Sequence, residues 1–134
     1  MKEFIYPLRI YIDDTDYTGV VYHANYLKFF ERARSEWAEM LGFGVKWQLE
    51  QNRYFLVRQA NIEYLKPALL HQRVEVVTRI AEFKRASYSY EQYLRVKDRI
   101  GTPLCKATVK IACVDLNYKP CALPKQFIEI MNGE

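Results

Sequence analysis

Hydrophobic and polar residues follow two different periods along this chain, first a period of two and then the period of a helix. Alternation over residues 4–12 predicts a first strand, which stops at the turn-forming run 13–16. From about residue 24 to residue 41, apolar side chains recur at helical spacing without glycine or proline. We therefore predict an amphipathic helix that ends at Gly42. Its apolar face is predicted to hold Tyr26, Phe29, Phe30, Ala33, Trp37, Met40 and Leu41.

Strand patterns dominate the rest of the chain. Strands are predicted over 54–65, 73–83, 87–96 and 104–115, and short helices over 45–51 and 125–131. One long helix after the first strand, followed by four more strands, implies an antiparallel five-stranded sheet wrapped around that helix. We therefore predict an α+β fold, and the length of 134 residues favours one domain over residues 1–134.

Tyrosines occupy much of the strand predicted over 87–96. Tyr88, Tyr90 and Tyr93 can stack on nucleic-acid bases, but no run of basic residues interleaves them. We interpret them instead as sheet surface or as an interface. Because such a face and the broad apolar helix would expose much apolar surface in one copy, we predict a homo-oligomer, either a dimer or a tetramer.

Composition and charge narrow the class of protein. Half of the residues are hydrophobic, which favours a globular protein over a disordered one. The formal net charge of +4 is mild and suits an anionic small molecule better than a nucleic acid. The first ten residues are too short and too polar for a signal peptide, and no apolar run approaches the ~20 residues of a membrane span.

The cysteines and histidines predict neither a disulfide framework nor a metal site. Cys105, Cys113 and Cys121 are odd in number and form no CxxC pair, which favours a reduced, cytoplasmic protein. Cys105 and Cys113 share one face of a predicted strand and are expected in the core. His23 and His71 lie far apart without ligand-spaced partners, so no metal is expected.

The run that joins the first strand to the long helix contains the best candidate for chemistry. Asp16 lies just before the predicted helix start, where a carboxylate can act as a general base or as a nucleophile; the alternative is a turn or helix-capping role. Unpaired N–H groups at a helix start can hold an oxyanion, and the His23 backbone N–H is the candidate donor. The His23 side chain either acts as well or packs against its aromatic neighbours. Glu31 is either a second acid or the salt-bridge partner of Arg34.

Two cations follow the third predicted strand. Lys84 and Arg85 lie in a predicted hairpin just before Ser87. Cations in such a turn can bind phosphate groups, or they can simply face the solvent. Both interpretations stay open on the residues alone.

Three segments of this chain resemble a known family of enzymes. They are Asp14-Thr15-Asp16 with Gly19-Val20-Val21-Tyr22-His23-Ala24-Asn25-Tyr26, then Phe30-Glu31-Arg32-Ala33-Arg34, and near the C-terminus Cys113-Val114-Asp115 with Lys119-Pro120-Cys121-Ala122-Leu123-Pro124-Lys125. These segments are similar to those of the hotdog-fold acyl-CoA thioesterases of the 4-hydroxybenzoyl-CoA thioesterase family. The specific likeness is to its Tol-Pal-associated, YbgC-type branch, and it covers nearly the whole chain.

The resemblance implies a hotdog fold, dimers that share one continuous sheet and often pair into tetramers, and hydrolysis of acyl-CoA without a metal or cofactor. It places the family's catalytic aspartate at Asp16 and its helix-start N–H donor at His23. It places the basic contacts with the CoA nucleotide at Lys84 and Arg85, with a further contact at Lys119.

One departure from the family pattern bears on the substrate. Tyr22 and Ala24 stand where the aromatic-acyl enzymes carry tryptophan and proline, which favours the YbgC-type branch over a 4-hydroxybenzoyl substrate. Two alternatives remain open. One is an aromatic acyl-CoA thioesterase, such as one for 1,4-dihydroxy-2-naphthoyl-CoA, and the other is a non-catalytic binding module with the same fold.

Overall fold

The strands and helices of this chain follow the predicted order. The computed structural model describes residues 2–133. Its elements are β1 (Glu3–Arg9), α1 (Asn25–Met40), α2 (Val45–Gln51), β2 (Tyr54–Tyr64), β3 (Arg73–Phe83), β4 (Ser87–Val96), β5 (Cys105–Val114) and α3 (Lys125–Met131), with a 3-10 turn over Ile12–Asp14. None of the helices within residues 2–133 has the length and apolar character needed to cross a membrane.

The five strands form one antiparallel sheet in the order β1-β3-β4-β5-β2. The first two strands of the chain therefore lie at opposite edges, and α1 connects them across one face of the sheet. The face of α1 toward the sheet buries Tyr26, Phe29, Phe30, Ala33, Arg34 and Trp37. This arrangement confirms the predicted α+β fold, in which a five-stranded antiparallel sheet is wrapped around one long helix.

The prediction that Tyr88 and Tyr90 form sheet surface or an interface is wrong. Both side chains are buried on the face of the sheet that packs against the helices. The Tyr90 ring lies 6.3 Å from the ring of Trp37, and the Tyr88 ring lies 5.0 Å from the ring of Phe127. Only Tyr93 has the opposite parity along β4, because side chains alternate between the two faces of a strand. The tyrosines therefore do not support an oligomer through the outer face.

Two other predictions near element ends are also wrong. Met40 is 68% exposed although it continues the apolar spacing of α1, and Leu41 and Phe43, which follow it, pack against the core instead. The first strand ends at Arg9, and Ile12 is 71% exposed within the 3-10 turn. Periodicity alone does not locate the last residue of an element to within one or two positions, and so the predicted strand over 4–12 continues past Arg9.

A buried polar network connects α1 to the middle of the sheet. The Arg34 Nη1 group donates to Gln92 Oε1 at 2.9 Å, and Gln92 Nε2 donates to the Phe30 carbonyl at 3.0 Å and to Thr78 Oγ1 at 2.9 Å. Arg34 also pairs with Glu31 at 3.1 Å, which confirms the predicted salt bridge. Each buried polar group of the network thus has a partner, as burial away from water requires.

The cysteines on β5 lie in the core, as predicted. Cys105 and Cys113 are buried, and burial raises the pKa of each thiol to about 12. Cys121 is only partly buried, and its Sγ lies 3.5 Å from Cys113 Sγ. All three are free cysteines.

Candidate active site

Asp16 is carried by a tight hairpin between the 3-10 turn and α1. Thr15 bridges Val21, the Asp16 N–H donates to the Val20 carbonyl at 2.9 Å, and the Gly19 N–H donates to the Asp16 carbonyl at 3.2 Å. Gly19 closes the hairpin with φ +84°, a conformation that costs glycine little and other residues much more. The sequence from Asp16 to Gly19 therefore folds locally into a turn that presents the aspartate.

The two oxygens of the Asp16 carboxylate have different surroundings. Oδ1 accepts hydrogen bonds from the Thr18 hydroxyl at 2.5 Å and from the Thr18 N–H at 2.8 Å. These bonds stabilise the charged form, the hydroxyl bond most, and hold the pKa of Asp16 below its ordinary value of 3.8. No donor within residues 2–133 hydrogen-bonds Oδ2. Asp16 thus stabilises its turn through Oδ1, while Oδ2 has no donor among residues 2–133.

The neighbouring Asp14 has a structural part in the same loop. Its Oδ2 accepts the Tyr11 N–H at 2.9 Å and so caps the 3-10 turn. Its backbone carbonyl accepts the Tyr22 N–H at 3.0 Å and Asn25 Nδ2 at 2.8 Å. Asp14 is therefore a turn and capping residue, and the bond from Asn25 holds the loop against the start of α1.

His23 lies two residues before the first residue of α1, in a turn closed by the Asn25 N–H and the Tyr22 carbonyl at 2.9 Å. Within residues 2–133, the His23 N–H has no hydrogen-bond acceptor, so this donor is available to a ligand. The His23 carbonyl accepts the Tyr64 hydroxyl at 2.9 Å, and the His23 ring lies 4.5 Å from the Tyr22 ring. The His23 ring contacts the rings of Tyr22 and Tyr64 but stays exposed, and within residues 2–133 neither its ring nitrogens nor its backbone N–H has a hydrogen-bond partner.

Asp16 and His23 line the same open cleft, which has a volume of about 350 Å³. Its other lining residues are Val20, Val21, Tyr26, Tyr64, Leu65, Lys66 and Pro67. Two bonds to Ala68 fix its wall: the Val21 N–H donates to the Ala68 carbonyl at 2.9 Å, and the Ala68 N–H donates to the Tyr26 hydroxyl at 3.1 Å. We call this space the Asp16 cleft. Mostly apolar walls with a few polar groups are typical of a ligand site.

The three cations predicted to contact CoA lie together, at the other end of the sheet from the Asp16 cleft. Lys84 and Arg85 are exposed in the predicted hairpin between β3 and β4, and Lys119 is exposed in the turn after β5. Leu94, near the end of β4, pairs with Cys105, which itself pairs with Tyr64 of the Asp16 cleft. The seven residue steps along β4 from Ser87 to Leu94 span roughly 23 Å at ~3.3 Å each. These cations do not share a site with Asp16 in the same subunit.

Sequence reasoning missed Tyr64 and Lys66 as neighbours of Asp16. Both come from the end of β2, more than forty residues along the chain, and no local pattern marks a contact of that range. A search of residues 2–133 finds no group of three or more His, Cys, Asp or Glu residues arranged to hold a metal ion. The Asp16 cleft thus contains a carboxylate of lowered pKa and a backbone N–H with no acceptor among residues 2–133, which are the two kinds of group that acyl hydrolysis uses.

Comparison with known proteins gives consistent matches over most of the chain. The model of the Thioesterase-like superfamily matches residues 10–130. The acyl-CoA thioesterase YbgC of Haemophilus influenzae is 46% identical over 125 residues, which are 92% of this chain and 90% of that protein. The crystal structure of a probable thioesterase from Bartonella henselae superposes with a TM-score of 0.83 at 35% identity, over 92% of this chain and 100% of the other.

A more distant structure extends the likeness in fold. The 1,4-dihydroxy-2-naphthoyl-CoA thioesterase of Synechocystis superposes with a TM-score of 0.89 over 98% of this chain and 97% of its own, at 20% identity. At that identity the likeness concerns the fold alone. Together with the closer matches it confirms the predicted hotdog fold.

Proposed function

Because the chain belongs to the Thioesterase-like superfamily, we infer that it is an acyl-CoA thioesterase, which hydrolyses acyl-CoA to a free acid and CoA. The observation that carries this inference is the Asp16 cleft itself. One carboxylate oxygen of Asp16 and the backbone N–H of His23 both lie there without a hydrogen-bond partner among residues 2–133. Thioester hydrolysis needs an ionised group that either activates a water molecule as a general base or attacks the carbonyl as a nucleophile. It also needs a hydrogen-bond donor for the oxyanion.

In this mechanism the thioester carbonyl accepts a hydrogen bond from the His23 N–H. Asp16 Oδ2 then either takes a proton from a water molecule that attacks the carbonyl carbon, or attacks that carbon itself to form an acyl-enzyme. Both routes put negative charge on the carbonyl oxygen and both need the ionised carboxylate. The two bonds from Thr18 favour that charged form. The reaction consumes only water and uses no cofactor or metal.

The free edge at β2 supports a dimer. Among the strands of residues 2–133, this strand of eleven residues pairs with β5 alone, and its apolar side chains Leu56 and Val57 are 41% and 51% exposed. The other edge, β1, is shorter and contains Pro7, which cannot donate to a ladder. Because a long exposed edge with apolar residues pairs readily with another chain, β2 is the edge through which two subunits join their sheets.

Such a dimer brings the predicted CoA contacts to the Asp16 cleft. Two β2 strands related by a two-fold axis near Gln59 run antiparallel, so Tyr64 of one subunit lies opposite Tyr54 of the partner subunit. Tyr54 pairs with Val114, just before the turn with Lys119. Lys84, Arg85 and Lys119 of the partner subunit thus lie beside the Asp16 cleft, where they bind phosphates of CoA. The family that this chain resembles implies that such dimers often pair further into tetramers.

The free thiols support a cytoplasmic location for this enzyme. The chain keeps three free cysteines, of which Cys121 is partly exposed, and this suits a reducing compartment. The enzyme therefore acts in the cytoplasm.

The test is the rate of thiol release from a panel of aliphatic and aromatic acyl-CoA thioesters. Asp16→Asn keeps an oxygen that accepts both Thr18 bonds, so the hairpin stays folded while the charge is lost. We expect kcat to fall at least ~10²-fold. The matched control is Asp13→Asn, which removes an exposed carboxylate from the same loop and keeps wild-type activity.

Two results would contradict the proposal. Normal turnover by folded Asp16→Asn would remove this carboxylate from the mechanism. A wild-type protein that binds acyl-CoA and releases no thiol from any member of the panel would be a binding module instead.

A further inference from the structure

Two free cysteines lie side by side near the end of β5. Cys113 belongs to β5, and Cys121 lies in the segment that follows the turn after this strand. Their Sγ atoms are 3.5 Å apart, and the Cys121 N–H donates to the Cys113 carbonyl at 2.9 Å. The bridge between Val114 and Pro120 sets the antiparallel register of the two segments and places Cys113 opposite Cys121. We call these two residues the cysteine pair.

The turn between the two cysteines is held by its own hydrogen bonds. Asp115 Oδ1 accepts the Asn117 N–H at 2.8 Å and the Lys119 N–H at 3.1 Å. The Asp115 N–H donates to the Lys119 carbonyl at 2.9 Å, and the Tyr118 N–H donates to the Asp115 carbonyl at 3.0 Å. Because these bonds fix the turn at both ends, the two thiols are held close together before any reaction takes place.

The backbone spacing at the cysteine pair suits a disulfide. Opposite residues of an antiparallel pair have Cα atoms ~4.5–5.5 Å apart, which lies within the ~4.4–6.8 Å that a disulfide spans. The two sulfur atoms already lie in contact on one face of the strands. A bond between them therefore needs a small movement of two side chains and leaves the backbone hydrogen bonds in place.

The two thiols differ in how easily a reagent reaches them. Cys113 is fully buried, whereas Cys121 is partly exposed. Burial, and after it the adjacent Cys121, raise the pKa of the Cys113 thiol to about 12, while the charge of Arg53 acts in the opposite direction. Cys113 therefore stays protonated at neutral pH, and Cys121 is the member of the pair that meets a reagent from the solvent.

The third cysteine lies too far away to join the pair. Cys105 is the first residue of β5 and is fully buried. The eight residue steps along β5 from Cys105 to Cys113 span roughly 26 Å at ~3.3 Å each. Cys105 therefore cannot form a disulfide with either member of the cysteine pair in the folded chain, and it is a buried reference thiol within the same protein.

We propose that Cys113 and Cys121 are a redox-sensitive modification site, at which a peroxide converts the two thiols into an intrachain disulfide. The peroxide first oxidises Cys121. A sulfur–oxygen bond forms, the O–O bond breaks, and Cys121 becomes a sulfenic acid while the rest of the peroxide leaves as water or an alcohol. The Cys113 sulfur then attacks the Cys121 sulfur. The S–S bond forms, the S–O bond breaks, and the departing hydroxide takes the Cys113 proton and leaves as water.

The modification is reversible. Two electrons pass from the two thiols to one peroxide molecule, and a small thiol such as glutathione returns them by thiol–disulfide exchange, in which two external thiols become one disulfide. The site therefore suits a reducing compartment, where both cysteines are thiols until a peroxide is present. The proposal does not depend on the function proposed above, because neither cysteine lines the Asp16 cleft.

The test counts thiols in the intact, folded chain after exposure to hydrogen peroxide. The remaining thiols are then alkylated under denaturing conditions, and the masses of the protein and of its tryptic peptides are measured. We expect the number of alkylated cysteines to fall from three to one, with the label on Cys105. Trypsin leaves 111–125 as one peptide because Pro120 follows Lys119, so this peptide should be unlabelled and lighter by two hydrogen atoms. Dithiothreitol should restore all three labels.

Three matched variants identify the part of each thiol. Cys105→Ala removes the cysteine outside the pair and should form the disulfide as the wild type does. Cys121→Ala should keep both remaining thiols after peroxide, because both are buried. Cys113→Ala leaves Cys121 without a neighbouring thiol, so dimedone should trap Cys121 as a sulfenic acid. Circular dichroism and the melting temperature establish that each variant is folded, and the thiol count of the wild type stands without them.

Any other pattern overturns the cysteine pair as a redox site. Three labels that persist after peroxide would show that the folded chain does not let the two thiols react. A disulfide that involves Cys105, or one that joins two chains on a non-reducing gel, would show that a different pair reacts. Oxidation of the 111–125 peptide to a sulfinic acid without a disulfide would show that Cys113 does not attack its neighbour. None of these results bears on the thioesterase proposal, which the thiol-release assay tests separately.

Discussion

The buried network around Gln92 gives the sharpest prediction about stability. Gln92→Leu keeps the size of the side chain and removes its three hydrogen bonds, those with Arg34, Phe30 and Thr78. The Phe30 carbonyl lies within α1 and keeps its helical bond. The other two groups lose a partner where water does not reach them. One is a charged donor of Arg34, and the other is the Thr78 hydroxyl, which is fully buried.

The magnitude follows from those two groups. An unpaired buried polar group costs ≈ 1–3 kcal/mol, and a charged one stands at the upper end. Leu adds apolar contact that offsets part of the loss. We therefore expect Gln92→Leu to lower the free energy of unfolding by about 3 kcal/mol. Thr78→Val leaves Gln92 bound to Phe30 and Arg34 and should cost about 1 kcal/mol.

The assay is urea unfolding at a fixed protein concentration, because the stability of an oligomer depends on concentration. Gln126→Leu, an exposed glutamine on α3, is the control and should stay within about 0.5 kcal/mol of the wild type. Arg34→Met combined with Gln92→Leu should be less destabilised than Gln92→Leu alone, because no buried guanidinium N–H is then left without its Gln92 acceptor. A loss below about 1 kcal/mol for Gln92→Leu would refute the reasoning.

Three further predictions concern the site and the subunits. The pKa of Asp16 in the folded protein is lowered, so its contribution to stability is present above its ordinary pKa of 3.8 and is lost as the pH falls through the folded value. A pH–rate profile should therefore show the loss of activity caused by protonation of Asp16 below pH 3.8. A loss of activity near neutral pH that Asp16→Asn abolishes would contradict this. Gly19→Ala meets no neighbouring atom, yet at φ +84° it should cost ~1–2 kcal/mol in urea unfolding, and an unchanged midpoint would show that the hairpin adapts. Specific activity should fall on dilution in step with the loss of dimer in light scattering, and an active monomer would overturn the shared site.

Much of the fold is predictable because it depends on local patterns. The predicted helices over 45–51 and 125–131 and the predicted strands over 73–83 and 87–96 coincide with α2, α3, β3 and β4. Alternation fixes the strands, and the change to helical spacing fixes α1. The alternation of apolar and polar residues along a strand does not show which face of the sheet the helices cover. Tyr88 and Tyr90 share a face with Leu94, and only the packing of α1 and α3 shows that this face is the inner one.

The candidate site likewise combines features that local sequence predicts with contacts that depend on the assembled sheet. The positions of Asp16 and of the His23 N–H just before α1 depend on adjacent residues, and the sequence predicts those positions. The contacts of Tyr64 with His23 and of Lys66 with the Asp16 cleft depend on where the end of β2 lies, which only the assembled sheet decides. The pairing of Arg34 with Gln92 spans 58 positions and has no sequence signal, since a glutamine in a strand is ordinarily predicted to be exposed.

The order of the strands has a consequence for how this protein is made. In the part of the chain that the structure describes, the two edge strands precede the others, and each pairs with one strand that is synthesised later, β1 with β3 and β2 with β5. A nascent chain that ends before residue 105 therefore holds a long apolar strand without any partner. The wall that Tyr64 gives to the Asp16 cleft becomes fixed only after β5 has emerged from the ribosome. Until then the exposed β2 is open to pairing with other chains, which makes the final thirty residues decisive for escaping aggregation.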